Sequence, residues 1–141
     1  MTANYEFVDT NLLLYSFDPT VVLKHTVSVA ILKSIWERNT GCISIQVLQE
    51  FYVNSTRKLS PPMSLSNAKK IVERYSTWQV HVPTAQDIVK AIDLQQRYQV
   101  SFWDAMIIQS ASSLRCTTLW SEDLNHGQKY LGVEVKNPFL S

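Results

Sequence analysis

The sequence predicts an α/β protein, specifically a three-layer α/β/α sandwich around a central, mostly parallel β-sheet. Two observations predict this fold class. Short runs rich in β-branched and aromatic residues alternate with longer helical patterns along the chain, and prolines or turn residues close several of these runs. Such alternation is typical of a sheet that helices cover on both faces. The 141 residues show no repeats or linkers, and we expect one domain over residues 1–141.

In the first half of the chain, strand and helix patterns follow one another. Tyr5–Val8 is a short apolar run that predicts a strand, and a turn or helix start follows at Asp9–Asn11. Apolar residues recur with helical spacing over Thr20–Glu37, which predicts a helix. The stretch "NTGCISI" indicates a turn and a brief strand over Asn39–Ile45. A helix is expected over Ile45–Leu59, and the prolines of "SPPMS" end it because proline cannot continue a helix.

The second half continues the alternation with short strands. Helices are predicted from amphipathic spacing, and strands from short apolar runs beside prolines. The run "WQVHV" is closed by Pro83, and "VEV" is stopped by Pro138. The predicted elements are, in order, a helix over Ser66–Thr77, a strand over Trp78–Val82, helices over Thr84–Gln99 and Ser101–Arg115, a strand over Cys116–Trp120, a helix over Leu124–Leu131 and a strand over Val133–Val135.

Composition disfavours several classes of protein. The net charge is +1, so a polyanionic substrate has to meet a local basic patch rather than a global field. The only three glycines, Gly41, Gly127 and Gly132, cannot form a glycine-rich phosphate loop. The two cysteines form neither a disulfide framework nor a metal motif, which favours a reducing compartment. No apolar run approaches the ~18 residues of a membrane span, and the N-terminus does not resemble a signal peptide. We therefore expect a cytoplasmic protein with no membrane partner.

Four acidic residues occupy positions that favour a ligand site, because ligands of parallel sheets bind beyond the carboxyl ends of the strands. Asp9 follows the first strand and Asp123 follows a late one. Each acid also has a simpler explanation. Asp9 and Asp123 are candidate helix caps, Ser101 and Asp104 resemble a capping box, and Glu50 fits a solvated helix face. Carboxylates that converge in one cleft repel one another, however, and Mg²⁺ or Mn²⁺ relieves that repulsion.

Other sites fit the sequence less well. A haloacid-dehalogenase-like phosphatase needs a second Asp two positions after Asp9, and Asn11 stands there. The three histidines lack zinc-ligand spacing, which disfavours zinc hydrolysis. Of the adjacent acids Glu122 and Asp123, we expect Glu122 to point away from its neighbour and to be the more dispensable.

Four motifs resemble those of the PIN domain, a nuclease fold: "FVDTNLLLY", "LQEFY", "SFWDAMI" and "LWSEDLNHG", in the right order and at suitable distances. Length and compactness are most similar to those of the VapC toxins of bacterial toxin–antitoxin pairs. The resemblance implies a Mg²⁺-dependent ribonuclease, with Mn²⁺ as the alternative ion. It also implies an acidic quartet of Asp9, Glu50, Asp104 and Asp123, supporting roles for Asn11 and Ser121, and metal binding by Asp9, Asp104 and Asp123.

The resemblance also implies partners, namely an RNA substrate, a small antitoxin and a second copy of the chain in a homodimer. A groove between the helices predicted over Thr20–Glu37 and Ile45–Leu59 is a plausible docking surface for the antitoxin. Trp103 and Tyr15 are candidates for base stacking, although core packing is the stronger expectation for both. The candidate phosphate-binding cations are Arg57, Lys58, Lys69, Lys70 and Arg74.

Two other functions remain open on the sequence. One is a non-catalytic module that keeps the fold to bind RNA or protein. The other is a structure-specific nuclease in housekeeping RNA or DNA processing. The presence of all four acids favours a nuclease over a binding module.

Overall fold

A computed structural model describes residues 4–140. Strands and helices alternate along the chain, as predicted. The strands are β1 (Glu6–Val8), β2 (Gly41–Ser44), β3 (Gln79–His81), β4 (Thr118–Trp120), β5 (Lys129–Tyr130) and β6 (Val133–Lys136). The helices are α1 (Thr10–Tyr15), α2 (Val22–Arg38), α3 (Ile45–Arg57), α4 (Leu65–Tyr75), α5 (Ala85–Tyr98) and α6 (Phe102–Ser113).

The strands form one sheet in the order β3-β2-β1-β4-β6-β5. All neighbouring strands are parallel except the β5–β6 pair, which is antiparallel. Phe7 and Val8 point to opposite faces of the sheet, and both are fully buried. The centre of the sheet is therefore covered on both sides, and the predicted fold class is confirmed.

The sheet has a topological switch point at β1. The chain continues from β1 to β2 on one side and later adds β4 on the other side. The carboxyl ends of β1 and β4 thus open into the crevice where ligands of such sheets bind. Asp9 follows β1 directly and Ser121 follows β4 directly, so both lie at this crevice.

The helix predicted over Leu124–Leu131 is wrong. This segment forms turns and then β5, which pairs with β6 in a tight hairpin. Leu131 and Gly132 connect the two strands with φ angles of +52° and +82°. Two consecutive positive φ values are typical of a hairpin turn and are incompatible with a right-handed helix. Asp123 consequently caps no helix.

An aromatic cluster of Trp36, Tyr75 and Trp78 packs α2 and α4 against the sheet, with ring centroids 4.8–5.3 Å apart. Gly41 on β2 allows this approach. A Cβ atom at that position would lie 2.4 Å from the Trp78 ring, which is far inside van der Waals contact. The glycine is needed here for space, not for backbone conformation.

Among residues 4–140, no helix is long and apolar enough to cross a bilayer.

Candidate active site

Asp9 is held rigidly at the end of β1. Its backbone N–H donates to the carbonyl of Trp120 over 3.0 Å. Its carboxylate accepts hydrogen bonds from the backbone N–H of Thr10 (2.8 Å) and from Ser121 Oγ (2.9 Å). The carboxylate caps α1, which confirms Asp9 as the helix cap predicted from the sequence. It also faces the crevice.

Burial makes Asp9 an unusual acid. Only 6% of the residue is exposed. Desolvation raises its pKa to about 7, and the negative charges of Asp123 and Glu50 add to the rise, while the hydrogen bonds from Thr10 and Ser121 oppose it. Within residues 4–140, none of the groups that set the pKa of Asp9 is cationic.

Ser121 joins two of the predicted site residues. It is fully buried. Its hydroxyl donates to Asp9 and accepts a 3.1 Å hydrogen bond from the backbone N–H of Asp123. The loop that carries Asp123 is therefore fixed to the carboxylate at the end of β1.

Glu50 on α3 lies in the crevice and not on a solvated helix face. Its two carboxylate oxygens accept hydrogen bonds from Thr10 Oγ1 (2.7 Å) and Gln46 Nε2 (2.9 Å). Gln46 is itself buried, and its Oε1 has no hydrogen-bond partner among residues 4–140. A buried acceptor of this kind normally binds an ordered water or another donor. The sequence pattern assigned no site role to Thr10 or Gln46, although Gln46 lies one helical turn before Glu50.

Asp104 and Asp123 complete the group. Ser101 caps α6 by accepting from the backbone N–H of Asp104 at 3.1 Å. Burial and the charge of Glu50 raise the pKa of Asp104. Partial desolvation and then the charges of Asp104, Glu122 and Glu50 raise that of Asp123. The negative charges of acids from distant segments thus act on Asp9, Asp104 and Asp123 at the crevice.

The donors present match a hard divalent cation in their chemistry. All are carboxylate oxygens that repel one another, and Mg²⁺ commonly binds through one or two carboxylates and several waters. As their side chains are placed, however, no three His, Cys, Asp or Glu residues within 4–140 form a ready metal cage. Joint binding of one ion by Asp9, Asp104 and Asp123 therefore stays a prediction.

A second network borders the acids, and the sequence did not reveal it. Glu122 accepts hydrogen bonds from Asn11 Nδ2 (3.0 Å), the Tyr15 hydroxyl and Lys24 Nζ (2.9 Å). Burial raises the pKa of Glu122, but the bonds from Tyr15 and Lys24 outweigh it and hold the pKa below its ordinary value. Glu122 is bonded to residues outside the acidic quartet, and its dispensability stays a prediction.

Two predicted site residues have other surroundings than expected. Asn11 donates to Glu122 rather than to any acid of the quartet. Tyr15 is engaged with Glu122 and Lys24 and packs against Phe139. Lys24 on α2 is the cation that the structure brings to the acids. Its partner Glu122 is far away in sequence, so no local pattern could have identified the pair.

The five predicted phosphate-binding cations lie apart from the acids. All are exposed, and none forms an ion pair with a site acid in the part of the chain that the structure describes. From Glu50, α3 runs roughly 10 Å before reaching the first of them. Their binding of RNA stays a prediction. These residues are Arg57 and Lys58 at the end of α3, and Lys69, Lys70 and Arg74 on α4.

Helix α1 occupies the groove that was predicted between α2 and α3, and the docking role of this surface stays a prediction. Helix α1 packs against both α2 and α3 and fills the space between them. An apolar cavity of about 420 Å³ lies between α3 and α4 instead, with Leu48, Tyr52 and Val72 in its wall.

Comparison with known proteins identifies the family. The family model described as "PIN domain" matches residues 7–130, which include all four acids. The chain belongs to the PIN domain family. No curated protein matches the sequence significantly.

Solved structures share this PIN fold at low sequence identity. VapC20 of Mycobacterium tuberculosis, described as a sarcin–ricin loop cleaving toxin, has 19% identity and a TM-score of 0.64, over 84% of this chain and 89% of its own. A toxin–antitoxin complex from Klebsiella pneumoniae has 20% identity and a TM-score of 0.68, over 95% and 98%. FitAB bound to an IR36 DNA fragment has 15% identity and a TM-score of 0.67, over 96% of both chains. These similarities concern the fold.

Proposed function

We propose that this PIN protein is a Mg²⁺-dependent endoribonuclease and the toxin of a toxin–antitoxin pair. One observation carries the proposal. Carboxylates from four distant segments gather at the carboxyl ends of β1 and β4, where burial and neighbouring negative charge raise the pKa values of Asp9, Asp104 and Asp123. Such unneutralised charge fits a site that binds a divalent cation and uses it on a phosphodiester.

The residues have distinct roles in this proposal. A bound Mg²⁺, or Mn²⁺, would polarise the phosphodiester and lower the pKa of a bound water. Asp9 and Asp104 would hold the ion, and Asp123 would complete its shell or orient the attacking water. Glu50, directed by Thr10 and Gln46, would accept the proton of that water at a carboxylate oxygen. Ser121 would keep Asp9 and the Asp123 loop in register through its two hydrogen bonds.

The partners follow from the same proposal. Two of the similar structures are described as a toxin and as a toxin–antitoxin complex, which supports an antitoxin partner here. An antitoxin arginine that enters the acid cluster would inhibit it, because guanidinium pairs bidentately with carboxylate. We further propose that the protein acts in the cytoplasm and forms a homodimer.

RNA cleavage by the purified protein tests the proposal. We expect cleavage with Mg²⁺ or Mn²⁺, no cleavage with EDTA, and mapped RNA ends at defined positions. Asp104→Asn should abolish cleavage, because it removes a carboxylate of the cluster. Asp93→Asn, which makes the same change on the exposed surface of α5, should leave it intact. A wild-type protein that binds RNA without cutting it under any metal condition would favour the non-catalytic module instead.

A further inference from the structure

Trp103 is the most exposed tryptophan of the protein. It is 62% exposed, whereas Trp78 is 8% exposed and both Trp36 and Trp120 are only partly accessible. The expectation that it packs into the core is therefore wrong. An isolated exposed apolar residue needs no explanation by itself, so the position of this indole in the fold decides its role.

Trp103 lies in the first turn of α6, directly before Asp104. Its carbonyl accepts a 3.4 Å hydrogen bond from Gln46 Nε2, and the same amide group holds Glu50. The indole packs at 73° against the ring of Phe102, with centroids 5.1 Å apart. The side chain is thus supported from one side by Phe102. The backbone of Trp103 is linked to Glu50 through Gln46 and continues directly into Asp104.

The charge of the site limits how it can hold RNA. The acids repel the phosphate backbone, and Lys24, which lies beside them, is already paired with Glu122. A contact that does not depend on charge would add to the hold of a bound metal ion on the phosphate. An exposed aromatic face provides one, because every base has a π-face on which it can stack.

We propose that Trp103 is a stacking platform for an unpaired RNA base beside the phosphate that is cut. This inference rests on the proposed function and adds a substrate-binding residue to it. The surroundings favour a base over a protein partner. The apolar cavity between α3 and α4 does not include Trp103, and the cavity of about 280 Å³ beside Asp104 is lined by polar groups such as Gln99 and Asn125.

Tryptophan fluorescence tests the proposal with the intact protein. The probes are a short single-stranded oligoribonucleotide of mixed sequence and an abasic oligomer of the same length. Ca²⁺ replaces Mg²⁺, and a gel verifies that the RNA stays uncut. The variants are Trp103→Ala, Trp103→Phe and the control Val82→Ala, whose parent residue is similarly exposed at 66%. All these positions are exposed, and circular dichroism verifies that each variant folds.

The RNA should quench the fluorescence of the wild type, and this quenching should be absent in Trp103→Phe. Trp103→Ala should weaken RNA binding by about 5- to 150-fold, the range expected for losing one base–aromatic stack. Trp103→Phe should retain part of the affinity, and Val82→Ala should match the wild type. The abasic oligomer should bind equally to wild type and Trp103→Ala.

Several results would overturn the inference. One is equal RNA affinity of wild type and Trp103→Ala in a protein that cleaves RNA, which leaves the proposed function intact. Another is an equal loss of affinity for the RNA and the abasic oligomer. A third is a change in oligomeric state in Trp103→Ala with unchanged RNA affinity, which would assign the indole to a protein interface. If the wild type never cuts RNA but binds it more tightly than Trp103→Ala does, the stacking role would be supported and the proposed nuclease activity rejected.

Discussion

Replacement of Asp9 by Asn should stabilise the metal-free protein at alkaline pH. The carboxylate is buried without a cation, and its pKa rises from 3.8 to about 7 on folding. The unfolded chain therefore loses this proton at a lower pH than the folded protein does. The contribution of Asp9 to the free energy of unfolding is greatest below the pKa of the unfolded chain. It falls as pH rises towards 7 and then levels off. Asn keeps the shape of the side chain but has no such titration.

The size of the effect follows from the two pKa values. A rise from 3.8 to about 7 makes the wild type lose roughly 2–3 kcal/mol relative to Asp9→Asn between about pH 5 and about pH 8. The amide can still accept from the N–H of Thr10, but it disturbs the hydrogen bond from Ser121, which costs about 1 kcal/mol at every pH. That cost shifts the difference in free energy of unfolding between wild type and Asp9→Asn by the same amount at every pH. It does not change how this difference depends on pH.

Urea denaturation in EDTA at the two pH values measures this difference. Asp93→Asn, an exposed change of the same chemistry, controls for loss of one negative charge. Adding Mg²⁺ at the higher pH should raise the stability of the wild type, by about 3 kcal/mol at a hundredfold excess over Kd, and should affect Asp9→Asn far less. A wild-type-minus-variant difference that is equal at both pH values would refute the view of Asp9 as a buried, uncompensated carboxylate.

Three further results are expected. Gly41→Ala should destabilise the protein by about 1–3 kcal/mol in urea denaturation, because the new methyl group meets Trp78; unchanged stability would show that the cluster can shift freely. Glu122→Gln should lower the free energy of unfolding by roughly 1–3 kcal/mol, because it replaces an acceptor of three hydrogen bonds. A lower melting temperature measures this loss, and an unchanged one would support the expectation that Glu122 is dispensable. Lys24→Met should cost at most about 1 kcal/mol, since Lys24 is 41% exposed, and a larger loss in thermal denaturation would show that the ion pair is better shielded than its exposure indicates.

The sequence was informative wherever local pattern decides the structure. Apolar spacing and proline positions identified five of the six strands and the long helices, because these elements form from nearby residues. The hairpin at Leu131 and Gly132 was missed, since a leucine with positive φ gives no local warning. The backbone conformation at Leu131 and Gly132 overrode the helical interpretation of that segment.

The location of the acids at the crevice could be predicted from the sequence, their roles stay predictions, and the groups around them could not be predicted. Asp9 and Asp123 each come shortly after a strand, and the rule for parallel sheets places such residues at the ligand crevice. The partners that fix Glu50 and Glu122 depend on how remote elements pack, and those contacts leave no spacing in the sequence. Trp103 illustrates the same limit, because an aromatic residue beside an apolar helix face predicts burial, whereas the helix start exposes it.

Both edge strands of the β-sheet are too short to pair readily with a strand from another chain. The outermost strands β3 and β5 have three and two residues, and Lys129 places an exposed charge on β5. Short edge strands that carry charge discourage a strand of another protein from pairing with the sheet through backbone hydrogen bonds. Binding of another polypeptide must therefore depend on side chains of the helices and loops, and the folded protein should resist edge-to-edge aggregation when concentrated.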